Sequence, residues 1–187
     1  MRGHIFCRVL RRMRTHFGAA LFTCALAGGG AGLASAQEGI AEAAIKAAIV
    51  GKFFLFVEWP DTVSGYRLCV AGRGDTADAV LAEQGRMVKG QVIETLRLAA
   101  PDAVPGRRCK ILFIAASAGG RAAEFAQAAA GSPVLIVAED DVLTGDRAHV
   151  LLTLEARRPV LSINLSEARR AGLDISARLL HLARKVS

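Results

Sequence analysis

The sequence predicts an α/β fold in which a mainly parallel sheet has helices on both faces and an antiparallel C-terminal hairpin at the edge. Short apolar runs such as Cys109–Ala115 and Pro133–Ala138 alternate with helical segments, which is the pattern of parallel strands joined by helices. Nearer the C-terminus, His149–Leu154 and Pro159–Leu165 alternate apolar and polar residues, as the two strands of a hairpin do. With 52% apolar residues in a chain of 187, one domain with a substantial core is expected.

Residues 1–36 have the three parts of a cleavable signal peptide. A basic region is followed by a short, glycine-rich apolar region and then by Ala-Ser-Ala at 34–36, the small residues that signal peptidase accepts. We therefore expect cleavage before Gln37, a mature domain spanning 37–187 and a location in the periplasm. The apolar region is too short for a membrane span, and bulky Phe22 disfavours the alternative of a lipid anchor on Cys24.

The net charge of +7 comes mostly from this leader. Five arginines and no acidic residue precede Gln37, so the 24 basic residues fall to 19 against 17 acidic ones, a net charge of +2. The basic clusters that remain are pairs such as Arg107-Arg108 and Arg169-Arg170, which are typical of a solvated surface. Nucleic acid is therefore not an expected partner.

The mature domain is expected to open with a helix over 38–58 that Pro60 ends. The apolar residues of this helix that lie at helical spacing are Ile45, Ala48, Ile49, Phe53 and Phe56. The next predicted elements are strand 67–71, helix 77–84 capped by Asp75 or Thr76, a strand within 88–98 and a loop at 101–106. After strand 109–115 come a helix ending at 131, strand 133–138, an acidic loop at 139–141, the hairpin, and helical stretches at 166–171 and 175–186.

Two cysteines remain after removal of the leader, and we expect them to form a disulfide. Cys69 and Cys109 would lie in an oxidising compartment, and they match neither a CxxC redox motif nor a zinc-binding set. The first and third strands of a doubly wound sheet are commonly neighbours, at a spacing that a disulfide allows. Two buried thiols that never meet are the alternative. Only His149 and His181 remain among the histidines, so neither a metal nor another cofactor is expected.

One enzyme-like pattern is present, Gly-Arg-Gly-Asp-Thr-Ala at Gly72–Ala77, between a predicted strand and a predicted helix. It matches the GxGxxG/A pattern that brings a pyrophosphate to a helix N-terminus, and Glu94 lies at about the right sequence distance for a ribose contact. Asp75, however, would place a negative charge beside the phosphates. There is no GxSxG motif and no recognisable nucleophile–base pair, so we expect a protein that is not an enzyme, with a nucleotide-dependent oxidoreductase as an alternative.

The segment Phe53–Pro60 contains four aromatic residues at the end of the first helix. Most aromatic residues at such spacing belong to the core. A tryptophan beside a helix-ending proline also suits an anchor for a partner protein. Phe56, Glu58 and Trp59 are therefore the candidate residues of a partner interface.

Several stretches of the mature chain are more informative together than alone. They are Ile45–Ala48, Phe56–Pro60, Leu68–Val70 with Gly72, Cys109–Ile114, Pro133–Leu135 and a closing block from Ile163 to Ala183. In this order they resemble the YfiR-like family of periplasmic proteins over essentially the whole mature chain. The sequence departs from the family at Thr144–Val150, where a Gly-Gly-x-Ile-x-Phe stretch is common, and it has one cysteine pair where the best-known member has two.

The resemblance implies an exported α/β domain, often a homodimer, that acts by binding rather than by catalysis. It implies as partner an inner-membrane signalling protein, a diguanylate cyclase, which the domain holds inactive by binding its periplasmic sensor region, so that cyclic-di-GMP falls. The residues also leave open a periplasmic small-ligand carrier or sensor. Such a protein would use the crevice at the carboxyl ends of the strands, near Gly72 and Ala116.

Overall fold

The computed structural model describes residues 31–60, 65–139, 144 and 146–187, with side chains from residue 37 onward. Residues 1–30 of the expected signal peptide therefore lie outside the described residues, as do Asp140 and Asp141 of the expected acidic loop. The described strands form one eight-stranded sheet and a separate two-stranded ladder.

Five helices and ten strands make up the described part of the chain, together with short 3₁₀ turns. The helices are α1 Ala31–Phe56, α2 Asp75–Leu81, α3 Ala122–Ala129, α4 Leu165–Arg170 and α5 Ala177–Leu180. The first five strands are β1 Val57–Glu58, β2 Tyr66–Ala71, β3 Met87–Val88, β4 Gln91–Leu98 and β5 Ile111–Ile114. The others are β6 Leu135–Ala138, β7 Val150–Glu155, β8 Arg158–Ile163, β9 Asp174–Ile175 and β10 Lys185–Val186. The 3₁₀ turns are Pro101–Ala103, Pro105–Arg107 and Ala116–Arg121.

The large sheet has the strand order β10-β8-β7-β6-β5-β2-β4-β3. Strands β4, β2, β5, β6 and β7 pair in parallel, whereas β8 runs antiparallel to β7 and β3 runs antiparallel to β4. The predicted fold class is confirmed, and the short β10 pairs with β8 on the outer side of the hairpin. The predicted neighbours are also confirmed, because β2 lies between β4 and β5.

Side chains of the central strands alternate between two cores, because successive residues of a strand point to opposite faces. Leu68 and Val70 of β2 pack in the core that also contains buried residues of α1, α2, α4 and α5. Cys69 and Ala71 pack in the core beneath α3. Both faces of β2 are therefore buried over residues 68–71, which is why that part of its sequence is an apolar run rather than an alternating one.

Helix α1 turns a different face to the core from the one its spacing predicts. Its buried side chains are Ala43, Ala47, Val50, Phe53 and Phe54. Of the predicted stripe only Phe53 is buried; Ile45 is 38% exposed, and the other three residues are half-buried. The predicted helix is present, but the spacing does not identify its buried face, because apolar residues occur on every side of this helix.

A half-buried ion pair ties α1 to the sheet. Lys46 interrupts the apolar sequence of the helix, and its Nζ lies 2.6 Å from Oε1 of Glu139, the residue after β6. The other carboxylate oxygen of Glu139 accepts a hydrogen bond from the Ala116 backbone N–H at 3.1 Å. The side chains of Lys46 and Glu139 are only 17% and 9% exposed, so this pair is shielded from solvent more than a surface pair is.

Segments that are distant in the chain, β1 and β9, pair in the small ladder, which the sequence did not predict. Helix α1 ends at Phe56, and β1 then pairs antiparallel with β9. The helical stretch predicted for 175–186 is wrong, because β9, α5 and β10 divide that segment. Ser176 explains the start of the helical turn within it: its Oγ accepts the Leu179 backbone N–H and so caps α5.

Cys69 and Cys109 are joined in a disulfide, with their Cα atoms 5.8 Å apart. Cys69 lies within β2, and Cys109 lies two residues before β5, the neighbouring parallel strand. The bridge thus links the two strands near the amino-terminal end of β5, as the strand order requires.

Candidate partner-binding surface

Trp59 belongs to a group that we call the aromatic–lysine cluster, made of Phe54, Trp59, Tyr66 and Lys110. The Phe54 and Tyr66 rings are stacked with centroids 4.6 Å apart, and the Phe54 and Trp59 rings are tilted with centroids 5.7 Å apart. The Lys110 Nζ lies 5.4 Å from the Trp59 ring centroid and 4.9 Å from that of Tyr66. The cluster lies at the amino-terminal edge of the sheet, because Tyr66 begins β2 and Lys110 immediately precedes β5.

A hydrogen bond holds Trp59 in this position. Its Nε1–H donates to the Lys110 carbonyl oxygen at 3.0 Å. The same oxygen also accepts the Leu135 backbone N–H at 2.8 Å, so it receives one hydrogen bond from the sheet and one from the tryptophan. The indole is half-buried and packs against the core, which makes it a structural residue as well as a candidate contact residue.

Lys110 is an unusual residue for this place because its side chain is 9% exposed. Among the described residues no carboxylate pairs with it, and its amino group lies over the Trp59 and Tyr66 rings. Loss of hydration lowers the pKa of this amino group, and the nearby charge of Lys89 lowers it further. The faces of these two rings attract the amino group of Lys110 in its charged form.

The three predicted interface residues differ in their exposure. Trp59 is in the aromatic–lysine cluster, Phe56 is half-buried against the core, and Glu58 is exposed on β1. Sequence reasoning missed Tyr66 and Lys110 as neighbours of Trp59. The signal that could have revealed Lys110 was its place near the start of the apolar run Cys109–Ile114, since a buried cation there needs compensating contacts.

The outer face of α1, as we name it, is an exposed helix surface that is rich in apolar residues. Its exposed and half-exposed residues are Ile40, Ala41, Ala44, Ile45, Ala48, Lys52 and Leu55. Ile40 is 62% exposed and Leu55 is 44% exposed, whereas the solvent side of a surface helix is normally polar. Leu55 places this face three residues before Glu58, so both belong to one region of the molecule. An apolar surface of this kind is typical of a protein-binding site.

The glycine run is a structural turn at the opposite, carboxyl-terminal edge of the sheet. Gly72 follows β2 with φ +104°, and a Cβ there would lie 2.9 Å from the Ala115 Cβ and 2.9 Å from the Ser117 Oγ. Gly74 is the N-cap of α2, so the predicted caps Asp75 and Thr76 are wrong. The close approach of backbone segments therefore accounts for Gly72 without a bound nucleotide.

Glu94 lies far from the glycine turn along the sheet. It pairs with Arg67 in the strand register and by a salt bridge of 2.7 Å, whereas Leu98 is the β4 residue beside Ala71 at the end of β2. Four residues of strand, about 13 Å, separate Glu94 from the level of the turn. This separation removes the ribose contact that the sequence spacing suggested.

Two further features concern membranes and metals. Within the described residues, no helix combines the length and the apolar character needed to cross a membrane. In the same part of the chain, no group of three or more His, Cys, Asp or Glu side chains is placed to hold a metal ion.

A sequence profile of the family described as YfiR/HmsC-like matches residues 43–184. Among solved structures, a conserved domain protein from Vibrio cholerae O1 biovar eltor strain N16961 is similar, with 10% sequence identity and a TM-score of 0.47. That match covers 78% of this chain and 60% of the Vibrio chain, so the present chain spans well under the full length of its structural neighbour.

Proposed function

We propose that this chain, which belongs to the YfiR/HmsC-like family, is a periplasmic regulatory protein that represses a membrane-anchored diguanylate cyclase. It would bind the periplasmic sensor region of the cyclase and so lower cyclic-di-GMP, without catalytic activity of its own. The family match over residues 43–184 is the observation that carries the proposal, because it includes almost all of the expected mature domain.

Repression by binding has a definite energetic requirement. The regulator must bind the inactive arrangement of the cyclase more tightly than the active one, since equal affinity for both would shift nothing. Moving a population from 1:99 to 99:1 requires a ratio of roughly 10⁴ between the two affinities. A large contact area with buried apolar anchors is the usual source of such a difference.

The outer face of α1 with Glu58 is the region we assign to this contact. Its apolar residues could be buried on binding, and the exposed Glu58 carboxylate at its end could select a basic partner residue. Trp59 follows Glu58 directly, and its hydrogen bond to the Lys110 carbonyl oxygen ties this part of the chain to the sheet. The single tryptophan therefore acts here by positioning neighbouring residues more than by direct contact.

Capture of the partner from membranes tests the proposal. The full chain with a C-terminal tag is expressed in its own host, recovered from the periplasm and incubated with detergent-solubilised membranes. We expect a protein with a cyclase domain to be enriched, and expression to lower cellular cyclic-di-GMP. Recovery of the tagged protein with no cyclase, and an unchanged cyclic-di-GMP level, would contradict the proposal.

Two variants test the assigned surface against a matched control. Leu55→Arg and Glu58→Lys alter the proposed region, whereas Met87→Arg makes the same charge change as Leu55→Arg at another exposed apolar position, on the edge strand β3. We expect at least a ten-fold loss of captured cyclase for the first two, and wild-type capture for Met87→Arg. If all three variants captured as much cyclase as the wild type, the contact would have to lie elsewhere on the protein.

A further inference from the structure

The carboxyl-terminal edge of the sheet holds a cleft of about 370 Å³. It opens where the chain leaves β2 towards β4 on one side and later returns to β5 on the other side of β2. Open α/β sheets bind ligands at such switch points, because the connections there diverge to opposite faces and leave a crevice. We call it the arginine cleft, after Arg73, Arg97 and Arg121, which line it together with Gly72, Ser117 and Phe125.

The floor of the arginine cleft is held by backbone contacts. Ser117 Oγ accepts the Arg73 backbone N–H at 2.9 Å and donates to the Arg73 carbonyl oxygen at 2.6 Å. Gly72 allows these two segments to approach, since a side chain there would meet Ser117 Oγ at 2.9 Å. The loops after β2 and β5 are therefore hydrogen-bonded to each other without a bound ligand.

The charge of the cleft is positive, and its lining contains no carboxylate. The Arg97 guanidinium donates to the Gly72 carbonyl oxygen and to the Asp78 carboxylate, which fixes its orientation. Arg121 lies over the Phe125 ring, 5.5 Å from its centroid, and its Nε is 3.9 Å from the exposed Glu124 carboxylate. Among the described residues, no carboxylate pairs with Arg73. Two of the three arginines therefore have weak or no ionic partners of their own.

We propose that the arginine cleft binds a small phosphate-bearing anion, such as a phosphate monoester. Guanidinium groups present paired N–H donors that match phosphate oxygens, and Arg73 and Arg121, which lack a close carboxylate partner, suit a doubly charged group better than a carboxylate. The volume is within the range of pockets for small ligands. This site is separate from the outer face of α1, so the inference does not rest on the proposed cyclase contact.

Calorimetric titration of the purified protein tests this inference without membranes or a cyclase, so its outcome is independent of the capture experiment. The probes are inorganic phosphate, phenyl phosphate and, for comparison, acetate, each at low ionic strength. We expect the two phosphates to bind and acetate to bind at least ten-fold more weakly. Absence of binding by either phosphate, or tighter binding of acetate, would overturn the proposal.

Variants locate the binding. Arg73→Gln and Arg121→Gln each remove a cleft cation whose loss leaves no buried partner, and Arg169→Gln removes an exposed cation on α4 as a control for net charge. We expect about a ten-fold weaker affinity for phosphate in each cleft variant, since a hydrogen-bonded charged contact contributes about that factor. The melting temperatures should stay unchanged. An equal loss of affinity in Arg169→Gln would mean a general charge effect and would refute the site.

Discussion

Strands β2 and β5 end in two very different environments. At their amino-terminal ends, Trp59, Tyr66 and Lys110 form a closed cluster in which the cation lies over aromatic rings and a hydrogen bond reaches the backbone. At their carboxyl-terminal ends, Gly72 and Ser117 form a narrow turn below an open cleft of arginines. Parallel strands place all their amino ends at one edge and all their carboxyl ends at the other, so one edge can be devoted to packing and the other to recognition.

Loss of the disulfide should have the largest effect on stability, and it should affect the two edges of the sheet differently. Reduction, or Cys109→Ser in a Cys69→Ser background, should lower the free energy of unfolding by about 4 kcal/mol, because the bridge closes a loop with a sequence separation of 40 residues. Denaturant unfolding with and without reductant measures this. Since the bridge lies nearer the amino-terminal end of β5, phosphate affinity in the arginine cleft should change less than stability does. An unchanged unfolding midpoint after confirmed reduction would contradict a stabilising role.

Gly72→Ala should destabilise the carboxyl-terminal edge by roughly 3 kcal/mol. The positive φ disfavours any side chain, and the new Cβ would also approach Ala115 and Ser117 to 2.9 Å. Gly74→Ala is the matched control, because Gly74 has φ +90° but no atom within 4 Å of the Cβ position. It should cost less, about 2 kcal/mol, from the backbone strain of its φ and ψ alone. Equal thermal shifts in the two variants would show that the contacts at Gly72 are unimportant.

Lowering the pH should reduce the free energy of unfolding through His149. This side chain is 5% exposed, its Nδ1 accepts the Ile136 N–H at 3.1 Å, and burial lowers its pKa from 6.5 to about 4. Because the folded-state pKa is depressed, the stabilisation is complete above pH 6.5 and is lost as the pH falls towards 4. We expect a loss of about 2 kcal/mol between pH 8 and pH 5.

Chemical denaturation at several pH values measures this dependence. His149→Gln should be less stable at pH 8, and its stability should vary less over the same range because it lacks the titrating imidazole. Arg147, Glu167 and Arg170 are the charged residues that line the same depression as His149. A wild-type protein whose stability is flat from pH 8 to pH 5 would be inconsistent with a buried neutral histidine.

Trp59→Phe should have the smallest effect, a loss of about 0.5–1 kcal/mol. The variant keeps an aromatic ring near Lys110 and removes the hydrogen bond to its carbonyl oxygen, which still accepts the Leu135 N–H. Tyr66→Phe is the control, since the Tyr66 hydroxyl makes no hydrogen bond to a described residue. Its unfolding midpoint should match the wild type. A loss above 2 kcal/mol for Trp59→Phe would mean that the indole does more than hold this edge closed.

Local sequence was sufficient to predict a strand where the segment is buried on both faces of the sheet. The runs at 68–71, 111–114 and 135–138 are apolar throughout, which is the composition of a central parallel strand. Their order along the chain then predicted that β2 would lie beside β5, and with it the pairing of Cys69 and Cys109. Alternation alone predicted the β7–β8 hairpin, because period two is specific to strands.

Tertiary contacts decided the features that depend on residues distant in sequence. The inner face of α1, the pairing of β1 with β9 and the meeting of Lys110 with Trp59 and Tyr66 each require a partner that no local pattern specifies. The arginine cleft is of the same kind, since Arg73, Arg97 and Arg121 are separated in the chain and are collected only by the strand order. The sequence by itself therefore determined the central strands and most of the helices, through periodicity and burial, but not the short strands β1, β9 and β10. Only the tertiary structure decided which side chains meet at the sheet edges, because those contacts follow from the order of the strands.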